Sequence, residues 1–299
     1  MTLQVNIIII YTIKNLFRIN ITSILHKYYK TVLTNGGDST AIATFKRYEK
    51  KYLISKEKLD KILPVLLEHM ELDPFCLNGN EYRIYSIYYD TVNHDIIREN
   101  SAGKLYKEKM RVRSYYDKKD PEDTVFMEIK KKSNGVGNKR RIKIKIKEIE
   151  PFVNDGVLPD TGDDYLSTQV AKELQYFLKT NKVAPALYVQ YDRLALFGKE
   201  DKNFRMTFDR NIHIRRNNFV FGESDEDQFL LPDDTYIMEI KILGAMPMWL
   251  ARLLSENELY SRGFSKYGVK YRKDAQQRDL DYFLTDGDGN EVDFDYFKD

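Results

Sequence analysis

The stretch that decides the fold is TVFMEIKKKSNGVGNKRRIKIKIK, residues 124–147. In both halves of this stretch apolar side chains alternate with Lys, Arg or Glu, which is the period-two pattern of a strand with one buried face. The Asn134-Gly135 step between the halves supplies residues that tolerate positive φ, as a tight turn requires. The stretch therefore predicts an antiparallel hairpin that carries a row of charges on one face.

The same alternation recurs along most of the chain. It predicts seven or eight strands, over residues 44–54, 83–89, 106–116, 124–132, 138–147, 186–197, 204–214 and 235–242. Helical periodicity covers residues 56–70, 167–179 and 247–254, with Ser167 or Thr168 as the cap of the second helix. Eight strands are enough to close a barrel. We therefore expect an α+β fold, built as a closed antiparallel β-barrel with flanking helices.

Composition and a cluster of loop-forming residues divide the chain into three parts. The loop-forming cluster Asn35-Gly36-Gly37-Asp38 separates an N-terminal appendage, residues 1–40, from everything periodic that follows. We expect this appendage to be flexible, the barrel domain to occupy residues 41–284, and residues 285–299 to form a mobile acidic tail.

Charge and residue usage exclude several classes of function. A formal net charge of +2 argues against a broad nucleic-acid-binding face, which would make the domain strongly basic. The single cysteine, Cys76, can form no intramolecular disulfide, and four histidines show no zinc-ligand spacing. The apolar run near residues 7–13 is too short for a membrane-spanning helix. A cytoplasmic protein is the expectation.

The predicted strands carry rows of charge, because residues two apart point to the same side. The rows are Glu49 with Lys51, Arg111 with Arg113, Glu128 with Lys130 and Lys132, Lys139 with Arg141, Arg205 with Thr207 and Asp209, and Glu239 with Lys241. For any one strand, a charged face in water is the ordinary explanation, as in a β-sandwich. The recurrence on so many strands favours a barrel with the charges inside.

A cationic interior of this kind suits a chain of phosphates. Arginine offers a planar fork of donors that matches phosphate oxygens, and lysine supplies a point charge. Carboxylates among these cations can hold Mg²⁺ or Mn²⁺ through oxygen, and Glu239 and Glu128 are the natural candidates.

The segments that carry these residues resemble motifs of the VTC domain, the catalytic module of vacuolar transporter chaperone polyphosphate polymerases. The ordered resemblance covers residues 44–273. It rests on Arg47-Tyr48-Glu49-Lys50-Lys51-Tyr52, Arg111-Val112-Arg113-Ser114-Tyr115-Tyr116, Glu128-Ile129-Lys130, Tyr191-Asp192-Arg193, Phe204-Arg205-Met206-Thr207-Phe208-Asp209-Arg210, Met238-Glu239-Ile240-Lys241, Pro247-Met248-Trp249-Leu250 and Phe264-Ser265-Lys266-Tyr267. VTC domains belong to the triphosphate tunnel metalloenzymes, so the resemblance implies a barrel around a basic tunnel.

The resemblance also implies roles for individual residues. It implies that the catalytic cations of the tunnel are Lys51, Arg111, Arg113, Lys130, Arg193, Arg205 and Lys266, and that Glu239 binds the metal ion. Glu128 and Glu49 are further candidate metal ligands, and the candidate substrate-binding residues are Lys132, Lys139, Arg141, Tyr191, Lys241 and Ser265. A departure lies at Gly263-Phe264, where some relatives carry another tunnel lysine that Arg262 would have to replace.

The function that the resemblance implies is a metal-dependent phosphotransferase. It would transfer the γ-phosphoryl group of ATP to polyphosphate, with Mn²⁺ or Mg²⁺ as the cofactor. One alternative is a hydrolase of tripolyphosphate, polyphosphate or a nucleoside triphosphate, in which Glu49 or Glu128 orients water. Another is a non-catalytic polyphosphate-binding module. The expected partners are ATP and polyphosphate, with no nucleic acid; a separate membrane partner and the oligomeric state are left open.

Overall fold

A computed structural model describes residues 47–79, 81–134 and 136–284. The predicted appendage at residues 1–40 and the predicted acidic tail at residues 285–299 lie outside this range. Within the described range, no helix combines the length and apolar character that crossing a bilayer requires.

The described part of the chain contains one antiparallel sheet and six α-helices. The strands are β1 (Arg47–Ser55), β2 (Met70–Leu72), β3 (Tyr82–Asp90), β4 (Tyr106–Ser114), β5 (Thr124–Ser133), β6 (Val136–Lys145), β7 (Ala184–Gly198), β8 (Arg205–Arg215), β9 (Gln228–Phe229) and β10 (Thr235–Leu243). The helices are α1 (Lys56–His69), α2 (Asp95–Ser101), α3 (Ile146–Asp155), α4 (Tyr165–Thr180), α5 (Met248–Glu256) and α6 (Lys266–Leu284), and a 3₁₀ helix covers Pro74–Gly79. The α+β class is confirmed.

The sheet is curled, but its ladder is open. Its strand order is β1-β10-β8-β7-β3-β4-β5-β6, with β2 paired to β7 and β9 to β8. Among the described residues no ladder joins β6 to β1, so the predicted closure of the barrel is not confirmed. Alternation predicts strands and their faces, but it carries no information about whether a last ladder forms. Lys130 on β5 nevertheless reaches Glu49 on β1, with Nζ 3.4 Å from Oε2, as the accumulated twist of the sheet allows.

Helices cover the outer face of the sheet with two apolar clusters. Leu59, Ile62 and Leu66 recur at helical spacing along α1 and pack, together with α5, against apolar side chains of β1, β8 and β10. Phe152 of α3 and Leu174 of α4 belong to a second cluster, which covers β4, β5 and β6. Because both clusters lie on the outer face, the charged rows of the same strands face the concave interior.

Two local structures differ from the prediction. The Lys/Ile alternation predicts that β6 continues to residue 147, but α3 begins at Ile146, since the Glu148 carboxylate accepts a hydrogen bond from the Lys145 backbone N–H at 2.9 Å. The cap of α4 is Asp164, whose carboxylate accepts hydrogen bonds from Leu166 and Ser167 N–H groups, rather than Ser167 or Thr168. The prediction also missed helices α2, α3 and α6.

Candidate functional site

The concave face of the sheet gathers charged side chains from distant parts of the chain. Hydrogen bonds and ion pairs join β1 to β5, β4 to the segment before α6, and β8 to α6. All seven cations that the resemblance assigns to the tunnel lie in or beside this group: Lys51, Arg111, Arg113, Lys130, Arg193, Arg205 and Lys266. These residues are far apart in sequence, and the strand order brings them to one face of the sheet.

Two glutamates and two lysines form a cluster between β1 and β10. The ladder sets Lys51 opposite Glu239 and Glu49 opposite Lys241. Lys51 Nζ lies 3.2 Å from Glu49 Oε1 and 3.5 Å from Glu239 Oε2, and Lys241 also contacts Glu239. Burial alone would raise the pKa of Glu239, but the ammonium groups of Lys241 and Lys51 hold that pKa below its usual range. Burial and Glu239 act to raise the pKa of Glu49, but Lys51, Lys130 and Lys241 lower it, so both carboxylates are ionised at neutral pH.

Glu128 stands in a second cluster, between β4 and β6. Its carboxylate is buried and accepts a hydrogen bond from Arg111 Nε at 2.7 Å, while Lys139 Nζ lies 2.7 Å from its other oxygen. Burial opposes ionisation, but Arg111, Arg113 and Lys139 hold the pKa of Glu128 well below its usual range. Arg141 lies on the same face, with its guanidinium 4.5 Å from the centre of the Phe126 ring. Both Lys139 and Arg141 thus belong to the concave face.

Asp209, which was not among the predicted site residues, organises a third cluster. Its carboxylate accepts two parallel hydrogen bonds from Arg193, at 2.6 and 2.9 Å, and one from Lys266 Nζ at 2.5 Å. Against the effect of burial, these two cations lower the pKa of Asp209 to about 2. Asp209 shares a strand face with Arg205, but the sequence contains no signal that singles it out.

Arg113 is buried without an acidic partner. Its Nε donates to Ser86 Oγ at 3.2 Å, and Nη2 donates to Tyr191 Oη at 3.2 Å. Among the described residues no carboxylate lies within ion-pair distance of this guanidinium. A buried charge with no carboxylate in direct contact is costly, because attraction to the more distant Glu128 offsets the desolvation only in part. The arrangement leaves room for an anionic partner, and it places Tyr191, which was predicted to bind substrate, in contact with Arg113.

Lys109 and Tyr88 are two further members that the sequence analysis missed. Lys109 Nζ donates to Ser265 Oγ at 3.1 Å, and Tyr88 Oη accepts a hydrogen bond from Arg111 Nη1 at 3.2 Å. The surrounding cations, led by Arg111, overcome burial and lower the pKa of Tyr88 to about 7. Strand alternation with Arg111 and Arg113 was a usable signal for Lys109.

Three predicted residues lie at the margin of the group. Lys132 is exposed at the end of the β5–β6 hairpin, on the same strand face as Lys130. Arg205 pairs with Lys241 in the ladder, and its guanidinium lies 4.4 Å from the centre of the Phe197 ring. Arg262 is exposed and reaches β1 through its backbone N–H, which donates to the Lys51 carbonyl at 2.7 Å.

Glu239 and Glu49 provide the donors that a hard divalent cation prefers. Mg²⁺ and Mn²⁺ bind carboxylate oxygens and often take further ligands from water and from substrate phosphates. Thr207 lies opposite Glu239 in the ladder, and its buried hydroxyl has no hydrogen-bond partner in the described structure. The described residues hold no cluster of three or more metal-ligating side chains. Glu239, Glu49 and the Thr207 hydroxyl could therefore supply oxygen ligands to such an ion, with water or phosphate oxygens as the others.

Solved structures resemble the chain only distantly. A protein from Vibrio parahaemolyticus, provisionally described as an adenylate cyclase, is 13% identical with a TM-score of 0.40, and the match covers 77% of this chain and 99% of that one. The PH1819 protein from Pyrococcus horikoshii is 14% identical with a TM-score of 0.38, over 76% of this chain and 99% of that one. Values this low say nothing about the chemistry of this chain.

A third structure is the Hippeastrum protein HpAC1, provisionally an adenylyl cyclase and described as having a dominant triphosphatase activity. It is 13% identical with a TM-score of 0.38, over 74% of this chain and 93% of that one. No curated protein sequence matches the chain. The family model of the VTC domain, in contrast, matches residues 46–273. This match spans the whole sheet from β1 to the first part of α6, and the chain belongs to the VTC domain family.

Proposed function

We propose that this chain is a polyphosphate polymerase, which transfers the γ-phosphoryl group of ATP to the end of a polyphosphate chain with the help of Mn²⁺ or Mg²⁺. Membership of the VTC domain family supports the proposal, and so does the convergence of Arg and Lys side chains on one concave face. Triphosphate and polyphosphate are dense anions that need such neutralisation.

The observation that carries the proposal is the environment of Arg113. A protein that needed this guanidinium only for folding would be expected to surround it with a carboxylate or with carbonyl groups. Instead, its described partners are the hydroxyls of Ser86 and Tyr191. These hydroxyls orient the guanidinium and leave its charge for a ligand, and phosphate oxygens match its planar fork of donors.

The reaction needs no nucleophile from the protein. A terminal oxygen of the polyphosphate chain attacks the γ-phosphorus of ATP; a new P–O bond forms while the bond to the β-phosphate oxygen breaks, and ADP leaves. Arg111 and Arg113 on β4, with Lys130 on β5, would hold the phosphates in line from one side of the concave face. Arg193, Lys266 and Lys51 would do so from the other side. The residues act by alignment and by neutralising charge on the transferred group.

Glu239, with Glu49 beside it, would hold the divalent cation against the phosphates of the triphosphate. When bound, the cation neutralises negative charge on the phosphate oxygens. In that state Lys51 and Lys241 would be released from the carboxylates for contact with substrate. Glu128 is less suited to hold the cation, because Arg111 and Lys139 already occupy its oxygens.

The decisive experiment incubates the purified protein with γ-labelled ATP and Mn²⁺, with and without a short polyphosphate primer, and resolves the products on a gel. A growing ladder with matching release of ADP is the expected result. Release of free phosphate without a ladder would contradict the proposal and show that the protein is a hydrolase. Polyphosphate binding without turnover of ATP would leave a binding module.

The first prediction concerns Glu239→Gln. Loss of one metal-binding carboxylate should lower polymerase turnover by about a hundredfold or more, since a bound metal is worth several kcal/mol of charge stabilisation. Binding of polyphosphate measured in EDTA should persist. Glu256→Gln, at an exposed position near the end of α5, is the matched control. Unchanged turnover of the Glu239 variant would contradict the metal assignment.

A further inference from the structure

Lys109 is a cation of the concave face to which the resemblance assigns no role. It lies on β4 two residues before Arg111, and the ladder sets it opposite Lys130 of β5. Its Nζ donates to Ser265 Oγ at 3.1 Å. In the described part of the chain no carboxylate lies within ion-pair distance of this ammonium. Lys109 thus shares with Arg113 the property of a partly enclosed charge whose contacts are hydroxyl groups.

The groups that face Lys109 are mostly positive. They are Lys51 from β1, Lys130 from β5, Lys107 from the same strand, and the Tyr88 phenol from β3. Burial, together with these three ammonium groups, lowers the pKa of Lys109 to about 8, although Tyr88 acts in the opposite direction. A lysine in this position gains stabilisation when an anion arrives.

Many other cations of the concave face, with Arg113 as an exception, have carboxylate partners. Such pairs are Lys51 with Glu49, Arg111 with Glu128, Lys130 with Glu49, Lys139 with Glu128, Arg193 and Lys266 with Asp209, and Lys241 with Glu239. When an anionic ligand binds those cations, each of them exchanges a carboxylate for the ligand. At Lys109 it supplies the first.

We propose that Lys109 binds a phosphate group of the substrate, and that Arg113, Arg111 and Lys109 form a line of cations along β4 for a linear chain of phosphates. The inference rests on the proposed function and names the substrate class more closely. Alternate side chains of a strand are spaced by about 6.8 Å, so the line extends for about 14 Å. That length selects for an extended oligophosphate over a single orthophosphate.

The position also accounts for the departure at Gly263-Phe264. Arg262 was the sequence-based candidate to replace the lysine that some relatives have there, but it is exposed. Lys109 approaches the same segment from β4, through its hydrogen bond to Ser265. The segment of Ser265 and Lys266 is thereby joined to the cations of β4, although neither position 263 nor position 264 carries a lysine.

The test is calorimetric titration of the full-length chain with tripolyphosphate in EDTA, at pH 7 and pH 9. Lys109→Met should weaken binding about tenfold at pH 7, which is the loss expected for one charge-assisted hydrogen bond. The loss should be smaller for orthophosphate, which cannot span the line. Lys131→Met is the matched control, because Lys131 of the neighbouring strand β5 pairs with Glu108 and Glu173 on the outer face and should not affect affinity.

The pH dependence provides a readout that a structural role would not move. The bound anion favours the protonated form, so wild-type affinity should fall as the pH rises through about 8. Lys109→Arg keeps its charge and should retain affinity at pH 9. Tyr88→Phe removes a neighbouring group whose pKa also lies near neutrality. The fall in tripolyphosphate affinity with rising pH should persist in Tyr88→Phe and should be smaller in Lys109→Met.

The outcomes separate the inference from the proposed function. If wild type binds tripolyphosphate and Lys109→Met binds it equally well with the same pH dependence, the role of Lys109 is refuted and the proposed function stands. If wild type binds neither tripolyphosphate nor longer chains, both fail. A lower melting temperature of Lys109→Met, with unchanged affinity of the folded protein, would make Lys109 structural and also overturn the inference.

Discussion

Two buried arginines of this protein have opposite surroundings. Arg215 and Arg113 expose 3% and 5% of their surface, respectively. Arg215 donates to Asp227 Oδ1 at 2.7 Å and to the Asn218 carbonyl at 2.6 Å, and its guanidinium lies 3.4 Å from the centre of the Tyr188 ring. The carbonyls of Gly222 and Val220 accept further hydrogen bonds from it. Its donors and its charge are satisfied by the protein.

Arg113, in contrast, has the hydroxyls of Ser86 and Tyr191 as its hydrogen-bond partners among the described residues. The same chain can therefore complete a buried guanidinium where the fold depends on it. The incomplete surroundings of Arg113 are a property of that position, and under the proposed function a bound anion would complete them.

Among the variants that test this comparison, Arg215→Met is expected to have the largest effect, which is a loss of stability. It leaves Asp227 without its cation and several carbonyls without a donor, so the free energy of unfolding should fall by about 3–5 kcal/mol. Urea denaturation measures this change. Arg98→Met, which removes an arginine from an exposed ion pair with Asp95, is the control and should change little. Equal stability of the Arg215 variant and wild type would remove the contrast.

Arg113→Met should give the reverse pattern. Affinity for tripolyphosphate should fall tenfold to about a hundredfold, because a charge-assisted hydrogen bond is worth about 1.5–3 kcal/mol. The midpoint of urea denaturation without ligand should change little or rise, since the buried charge that is removed has no carboxylate in direct contact. A midpoint that falls as far as that of Arg215→Met would show that Arg113 serves the fold.

Lys131→Met is expected to have the smallest effect. Lys131 follows Lys130 on β5 but points to the outer face, where its Nζ lies 3.3 Å from Glu108 and 2.9 Å from Glu173. Such partly exposed pairs are worth less than about 1 kcal/mol, so stability should change by no more than that. Tripolyphosphate affinity should be unchanged, whereas Lys130→Met should weaken it. Equal loss of affinity in both variants would argue for a diffuse charge effect.

Strand alternation was a reliable guide to the sheet and to its two faces. The rows at Glu49, Arg111, Glu128 and Glu239 all face inward, because helices with apolar stripes cover the other side of each strand. Alternation was misleading at the end of β6. The Lys/Ile pattern continues through Ile146, but a helix begins at that residue, with the capping contact of Glu148. Closure of the ladder depends on pairing between distant edges, which a local pattern does not encode.

The site was predicted in its residue types more fully than in its pairings. Lys109 follows the same alternation as Arg111, so the sequence did contain its signal. Asp209 and Tyr88 could not be found in this way, since their roles arise from cations that other strands bring to them. The contrast between Arg113 and Arg215 is also invisible in sequence, because it depends on which groups surround each guanidinium.

In the described part of the chain, the open ladder leaves β1 and β6 as the two ends of the strand order. The backbone of β1 is engaged at one point by Arg262, whose N–H occupies the Lys51 carbonyl. β6 pairs with β5 in the described structure and carries exposed Lys139, Lys143 and Lys145 along its length. Lysines on an edge strand discourage edge-to-edge association between copies. The lysines of β6 are therefore also expected to oppose aggregation of the folded protein through this edge of the sheet.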